Sequence, residues 1–105
     1  MTRRIIVPRA ARQIDQIHAY IAQNDEKAAR DVLGRIHEVL EYLTSYPRSG
    51  RKTAAADVSM FAVSPYPYLV FFRYFEARDE LQIVAVRHGA RRRAELQDAE
   101  REFRT

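Results

Sequence analysis

Hydrophobic positions change period once along the chain, and that change divides it into two halves. Ile5-Ile6-Val7, within Thr2–Val7, is a short β-branched run that suits a strand. Pro8 then fits the first turn of a helix, where its missing N–H costs nothing. Ala11, Ile14, Ile17, Tyr20 and Ile21 recur at intervals of three and four, the spacing of one helical face. Asn24 or Asp25 ends that helix and can cap a second one. The second helix carries the stripe Ala29, Val32, Leu33, Ile36, Val39, Leu40 and Leu43. Gly34 inside it is expected to let another element approach closely. Tyr46-Pro47 closes the helix, and Pro47–Gly50 reads as a turn.

Beyond Ala54-Ala55-Ala56 the period becomes two. Val58, Met60 and Ala62 alternate with Ser59, Phe61 and Val63, the pattern of a strand covered in part on both faces. Pro65-Tyr66-Pro67 makes a turn. Tyr68–Phe75 is aromatic and β-branched throughout, Glu76–Glu80 is a polar turn, and Leu81–Arg87 completes a hairpin pair. Gly89 stops the last strand, and Arg91 to Phe103 is compatible with a helix. The order is β-α-α-β-β-β-α. Segregated helices and strands predict α+β architecture, a small antiparallel β-sheet packed on an N-terminal helical hairpin. Residues 1–105 are expected to form a single domain.

Composition narrows the chemistry. The chain has no cysteine, which removes disulfides, thiolate metal sites and cysteine nucleophiles. There is no Gly-rich phosphate loop, and the three histidines lack a ligand spacing, so neither cofactor nor metal is expected. No apolar run reaches the length of a membrane helix and the N-terminus lacks a leader's apolar region, so the protein is read as soluble and cytoplasmic. The net charge is +4, unevenly placed: residues 47–75 hold Arg48, Arg51, Lys52 and Arg73 against Asp57 alone. A second basic cluster, Arg87, His88, Arg91, Arg92 and Arg93, follows the last strand. The two clusters bracket the strand-forming region and favour an anionic partner.

Three segments, in this order, resemble one family. They are Tyr46-Pro47-x-x-Gly50-Arg51, then Tyr66-Pro67-Tyr68-x-Val70-x-Phe72-Arg73, then Ile83-Val84-x-Val86-Arg87-His88-Gly89-Ala90-Arg91. Ala10, Asp15, Ile17, Tyr20 and Ala28-Ala29-Arg30 fit the same pattern in the helices. Together they resemble the RelE/ParE superfamily of toxins from type II toxin–antitoxin systems, over essentially the whole chain. Its RelE-like members are ribosome-dependent mRNA endonucleases, and its ParE-like members poison DNA gyrase. The Arg87–Arg91 ending and the Tyr66-Pro67-Tyr68 turn are closer to the ParE-like, plasmid-stabilisation branch. That resemblance implies a toxin that inhibits gyrase by binding, without catalysis, and a cognate ParD-like antitoxin whose acidic flexible segment wraps it.

The residues leave a nuclease open as well. Cleaving RNA through its own 2′-hydroxyl needs a base, cations on the phosphate and an acid. Arg73, Arg87, His88 and Arg91 could supply them, acting on mRNA at the ribosome. Against this, the 47–57 loop has no Glu, and Val58-Ser59-Met60-Phe61 lacks the arginine usual in the superfamily. That missing arginine also admits a non-toxic antitoxin-binding homologue. The candidate target- or antitoxin-binding residues are Arg51, Lys52, Tyr68, Arg73, Arg87, His88 and Arg91. His18 and His37, on the amphipathic helices, read as surface or partly buried fillers, and Tyr66 and Tyr68 as packing around the turn or as stacking rings. Alternation sends Phe71 and Arg73 one way and Phe72 and Tyr74 the other, without saying which pair lies beneath the helices.

Overall fold

The computed structural model describes residues 1–89. The chain runs β1 (Arg3–Ile6), α1 (Pro8–Ala22), α2 (Glu26–Ser45), β2 (Arg51–Lys52), β3 (Ser59–Ala62), β4 (Tyr68–Phe75), a 3-10 turn at Glu76–Arg78, and β5 (Glu80–His88). Pro8 occupies the start of α1 as expected. Asp25 caps α2: its Oδ1 accepts the Ala28 N–H at 3.0 Å, and Glu26 adds negative charge to the first turn. Among the described residues no helix is long and apolar enough to cross a membrane.

The five strands lie in the order β1-β5-β4-β3-β2. β3, β4 and β5 pair antiparallel, as expected, and β2 joins β3 antiparallel as well. The first strand departs from that expectation. β1 pairs in parallel with β5, Arg3 opposite Glu80 and Ile6 opposite Ile83, so the sheet is mixed. Its direction is set by the α1–α2 crossover, which carries the chain over the sheet instead of turning it back beside its neighbour. The two-residue strand β2, read from sequence as loop, extends the opposite edge. The helix expected over Arg91 to Phe103 lies outside the described residues.

Two apolar layers hold the sheet. On the helix side Tyr68, Val70, Phe72, Leu81, Ile83 and Val86 meet Ala10, Ile14, Val32, Ile36, Val39, Leu40 and Leu43. On the other side Met60, Phe71, Val84 and Ala85 pack with Ala55 and Val58 from the loop after β2. Thus Phe72 lies beneath the helices and Phe71 does not. Val84 and Ala85 join the same layer although adjacent, because β5 has one residue more than β4 at this point: Phe71 faces Ala85 while Phe72 faces Ile83.

Gly34 has a different role from the one its sequence suggests. A Cβ there would meet nothing within 4 Å, so no element approaches it. Close approach occurs at Gly50 instead, at φ +99°, where a Cβ would lie 2.5 Å from the Met60 carbonyl oxygen.

Candidate functional site

Arg73 and Arg87 stand on the face turned away from the helices. Arg73 follows Phe71 by two residues on β4 and faces Gln82; Arg87 follows Ala85 by two on β5 and faces Leu69. Both are half-buried. Four residues of β4 separate the two levels, about 13 Å along the strands. Buried Phe71, Val84 and Ala85 occupy the space between. Around Arg73 the face is polar: Glu80 accepts from Gln82 Nε2 at 3.0 Å and from Arg78 at 3.1 Å. The Gln82 hydrogen bond and the Arg78 charge hold the Glu80 carboxyl below its ordinary value, against desolvation. Arg78 also lies 4.5 Å from the centre of the Phe75 ring.

His88 points to the opposite side. It follows Val86, a helix-side residue, by two positions, and its ring meets buried Tyr68 edge-on at 5.4 Å. Gln13, Gln16, Ile17 and Tyr20 of α1 complete a groove of about 580 Å³ beside them, and Arg87 also borders it. Gln13 Oε1 accepts the Val86 N–H at 2.8 Å, covering the edge of β5 where β1 has ended. Burial, and then the nearby Tyr20, push the Tyr68 phenol up. Of Arg73, Arg87, His88 and Arg91, grouped by sequence as a possible nuclease site, Arg73 and Arg87 leave the sheet on the face opposite to His88, Arg87 also borders the groove beside His88, and Arg91 lies outside the described residues. His18 is half-buried and His37 exposed.

Arg51 and Lys52 are exposed on β2, opposite Met60 and Ser59. Lys52 borders a cleft of about 600 Å³ with Pro47, Arg48, Ser59 and Tyr74. One wall of it is the 53–58 loop, held by Thr53 Oγ1, which accepts the Ala55 N–H at 3.1 Å and reaches the Val58 carbonyl at 3.0 Å. Arg48 pairs with Glu76 and lies 5.6 Å from the Tyr74 ring centre. Tyr66 packs against the helix-side layer. Arg91, Arg92 and Arg93 lie outside the described residues. Among the described residues no group of three or more metal-ligating side chains occurs.

Sequence reasoning passed over Asp79. It sits in the turn before β5 at φ 48° and accepts from Thr2 Oγ1 and from the Tyr74 hydroxyl, each at 2.8 Å. An Asp in a polar turn tolerates the left-handed conformation better than most residues, the one local signal for it. Those two hydrogen bonds hold its carboxyl below the ordinary value, and the one from Tyr74 pushes that phenol up.

A helical hairpin lies over one face of a mixed five-stranded sheet, with cations on the opposite face and at the sheet edge, a small basic α+β architecture. The sequence model described as "ParE toxin of type II toxin-antitoxin system, parDE" matches residues 5–93. "Putative toxin Y4kP" of Sinorhizobium fredii (strain NBRC 101917 / NGR234) is 35% identical over 81 residues, covering 77% of this chain and 81% of that protein. A solved chain described as "Chromosomal ParDE TA system from P. aeruginosa" shares the fold, with a TM-score of 0.72 at 21% identity, over 84% of this chain and 96% of that one. The chain belongs to the ParE toxin family of type II toxin–antitoxin systems, the branch its own motifs resemble.

Proposed function

We propose that this toxin arrests growth without chemistry of its own, by binding DNA gyrase in the cytoplasm, and that a cognate antitoxin with an acidic flexible segment neutralises it. Membership of the ParE family carries the reading, and the placement of the candidate groups supports it. A general base must come within hydrogen-bond reach of the proton it abstracts, while the cations hold the phosphate beside it. Arg73 and Arg87 leave the sheet on one face and His88 on the other, its ring edge-on to Tyr68. Membership of the ParE family supports gyrase as the target rather than the ribosome. Arg73 and Arg87 are the cations proposed to hold the target. Arg51, Lys52, Tyr68, His88 and Arg91 extend the surface offered to target or antitoxin.

The test is tightly controlled induction in a bacterium, with labelled thymidine and labelled amino acid followed in one culture. DNA synthesis should fall first, and the purified toxin should inhibit supercoiling by gyrase. Replacing Arg73 and Arg87 together by Ala should abolish growth arrest while the protein still folds. His88→Gln should leave arrest intact. Protein synthesis falling first, with His88→Gln inactive, would overturn the reading in favour of an mRNA endonuclease. Growth unaffected by the wild-type chain would overturn it in favour of a non-toxic antitoxin binder.

A further inference from the structure

Arg73 and Arg87 are matched in the proposed mode of action but not in their surroundings. Arg87 faces Leu69, whose side chain offers no hydrogen-bond acceptor. Arg73 faces Gln82, and Glu80, two residues before Gln82 on β5, leaves the sheet on the same side. Arg73 is half-buried with its Nε enclosed, so contact with a partner falls to the terminal nitrogens of the guanidinium. A planar fork of donors on a long stem binds with less loss of freedom where its direction is fixed beforehand.

Gln82 stands where it can fix that direction. Its Nε2 donates to Glu80 Oε2 at 3.0 Å, and Arg78 donates to the same oxygen at 3.1 Å. Glu80 is 8% exposed and is the only charged residue that is buried among the described residues. Arg78, laid 4.5 Å from the Phe75 ring centre, holds the carboxylate from its other side. The amide of Gln82 cannot be turned over, because its oxygen would then meet the carboxylate acceptor to acceptor. With Nε2 committed to Glu80, Oε1 is left on the far side of the amide. There Arg73 stands directly opposite in the ladder, at the about 4.5–5.5 Å between Cβ atoms of paired residues. Neutralising Glu80 does not account for the amide. Arg78 already pairs with that carboxylate, and Arg3 stands opposite it on β1.

We infer that Glu80 and Gln82 are positioning residues for Arg73: the buried carboxylate locks the Gln82 amide, and the amide oxygen holds one terminal nitrogen of Arg73 so that the rest of the fork faces the target. The use made of the held fork rests on the proposed contact between Arg73 and the target; the locking itself does not.

Two measurements on the full chain test it. The first needs no target. Exchange between the two terminal nitrogens of Arg73, in ¹⁵N NMR spectra assigned with Arg73→Lys, reports rotation of the guanidinium about its Nε–Cζ bond. Gln82→Leu should speed that rotation roughly tenfold, the scale of one hydrogen bond to a charged group. Where Gln82→Leu fails to fold, Gln82→Met, unbranched and of similar length, takes its place. Glu80→Gln combined with Gln82→Glu exchanges the carboxylate and the amide, keeps an acceptor towards Arg73 and should restore slow rotation.

The second measurement is the potency of the purified toxin against supercoiling by gyrase. Gln82→Leu should weaken it by roughly three- to tenfold in the wild type. In an Arg73→Ala background, where Arg87 still supports residual inhibition, the same change should matter by less than about twofold. A side chain that touched the target itself would lose the same factor in both backgrounds. One that only held the fold would lower Tm without moving potency. Rotation unchanged in Gln82→Leu, or not slowed again by the exchanged pair, would overturn the inference whatever the target is. So would a loss of potency equal in both backgrounds. If rotation quickens as expected while Arg73→Ala inhibits as well as the wild type, the locking is upheld and it is the contact between Arg73 and the target that falls.

Discussion

Gly50 and Gly34 should respond to the same substitution with opposite signs. At Gly50 the backbone sits at φ +99°, and an added Cβ would lie 2.5 Å from the Met60 carbonyl oxygen and 3.1 Å from Cζ of Phe72. Neither neighbour can yield cheaply. Met60 is held in the β2–β3 ladder opposite Arg51, and Phe72 is 1% exposed beneath the helices. Backbone strain of about 1–3 kcal/mol and overpacking of about 1–3 kcal/mol place Gly50→Ala at roughly 2–6 kcal/mol of destabilisation. At Gly34 the residue is exposed in mid-helix and the Cβ would touch nothing within 4 Å. Only the entropy of the unfolded chain changes, so Gly34→Ala should stabilise by about 0.5–1 kcal/mol. For a domain of this size each kcal/mol moves Tm by roughly 4–8 °C. Paired thermal and urea melts should therefore put the Gly50 variant well below the wild type and the Gly34 variant a few degrees above it. A Gly50→Ala protein as stable as the wild type, or a Gly34→Ala protein below it, would refute the reasoning.

Two further outcomes follow from the core and from the carboxylates. Ile36→Ala empties a fully buried site facing the sheet and should cost about 2–5 kcal/mol, read as a lower urea midpoint with an unchanged slope. Asp79 has its pKa lowered in the folded state by Thr2 and Tyr74, so its stabilising contribution is fully present above the unfolded carboxylate value near 4 and is lost as pH falls through the lower folded one. Tyr74→Phe removes one donor and should move the acid limb of a pH-melting curve to higher pH; an unmoved limb would show that Asp79 contributes nothing there.

The elements that are legible in the sequence are those encoded by local period. The stripe from Ala29 to Leu43 marks α2, and the aromatic run Tyr68–Phe75 marks β4, because each pattern is complete within its own segment. The parallel pairing of Ile6 with Ile83 depends on residues far apart, and no local pattern carries its direction. The same holds for the extra residue of β5 near Val84: without it the register that sets Arg87 beside Leu69 cannot be written down. Part of the site was nevertheless readable. Adjacent residues of one strand point to opposite faces, so Arg87 and His88 could have been separated from alternation alone. The placing of Gln82 beside Arg73 was hidden, because Glu80 reads as turn and Gln82 as strand until the register of β5 against β4 is known.

The pairing of β1 with β5 also sets an order of events. The first strand forms its ladder with residues 80–83, so during synthesis it must wait for almost all of the described chain before it finds its neighbour. The α1–α2 hairpin closes through contacts near in sequence and can form early, whereas closing the sheet carries the entropy of a loop that encloses both helices and three strands. Until that closure the Thr2 half of the Asp79 clasp is open, and so is the edge of β5 that β1 covers. The fold thus behaves as a latch that shuts last: a partly made chain has its helices but no completed sheet, and Arg73 and Arg87 reach their common face only once the final strand is laid down.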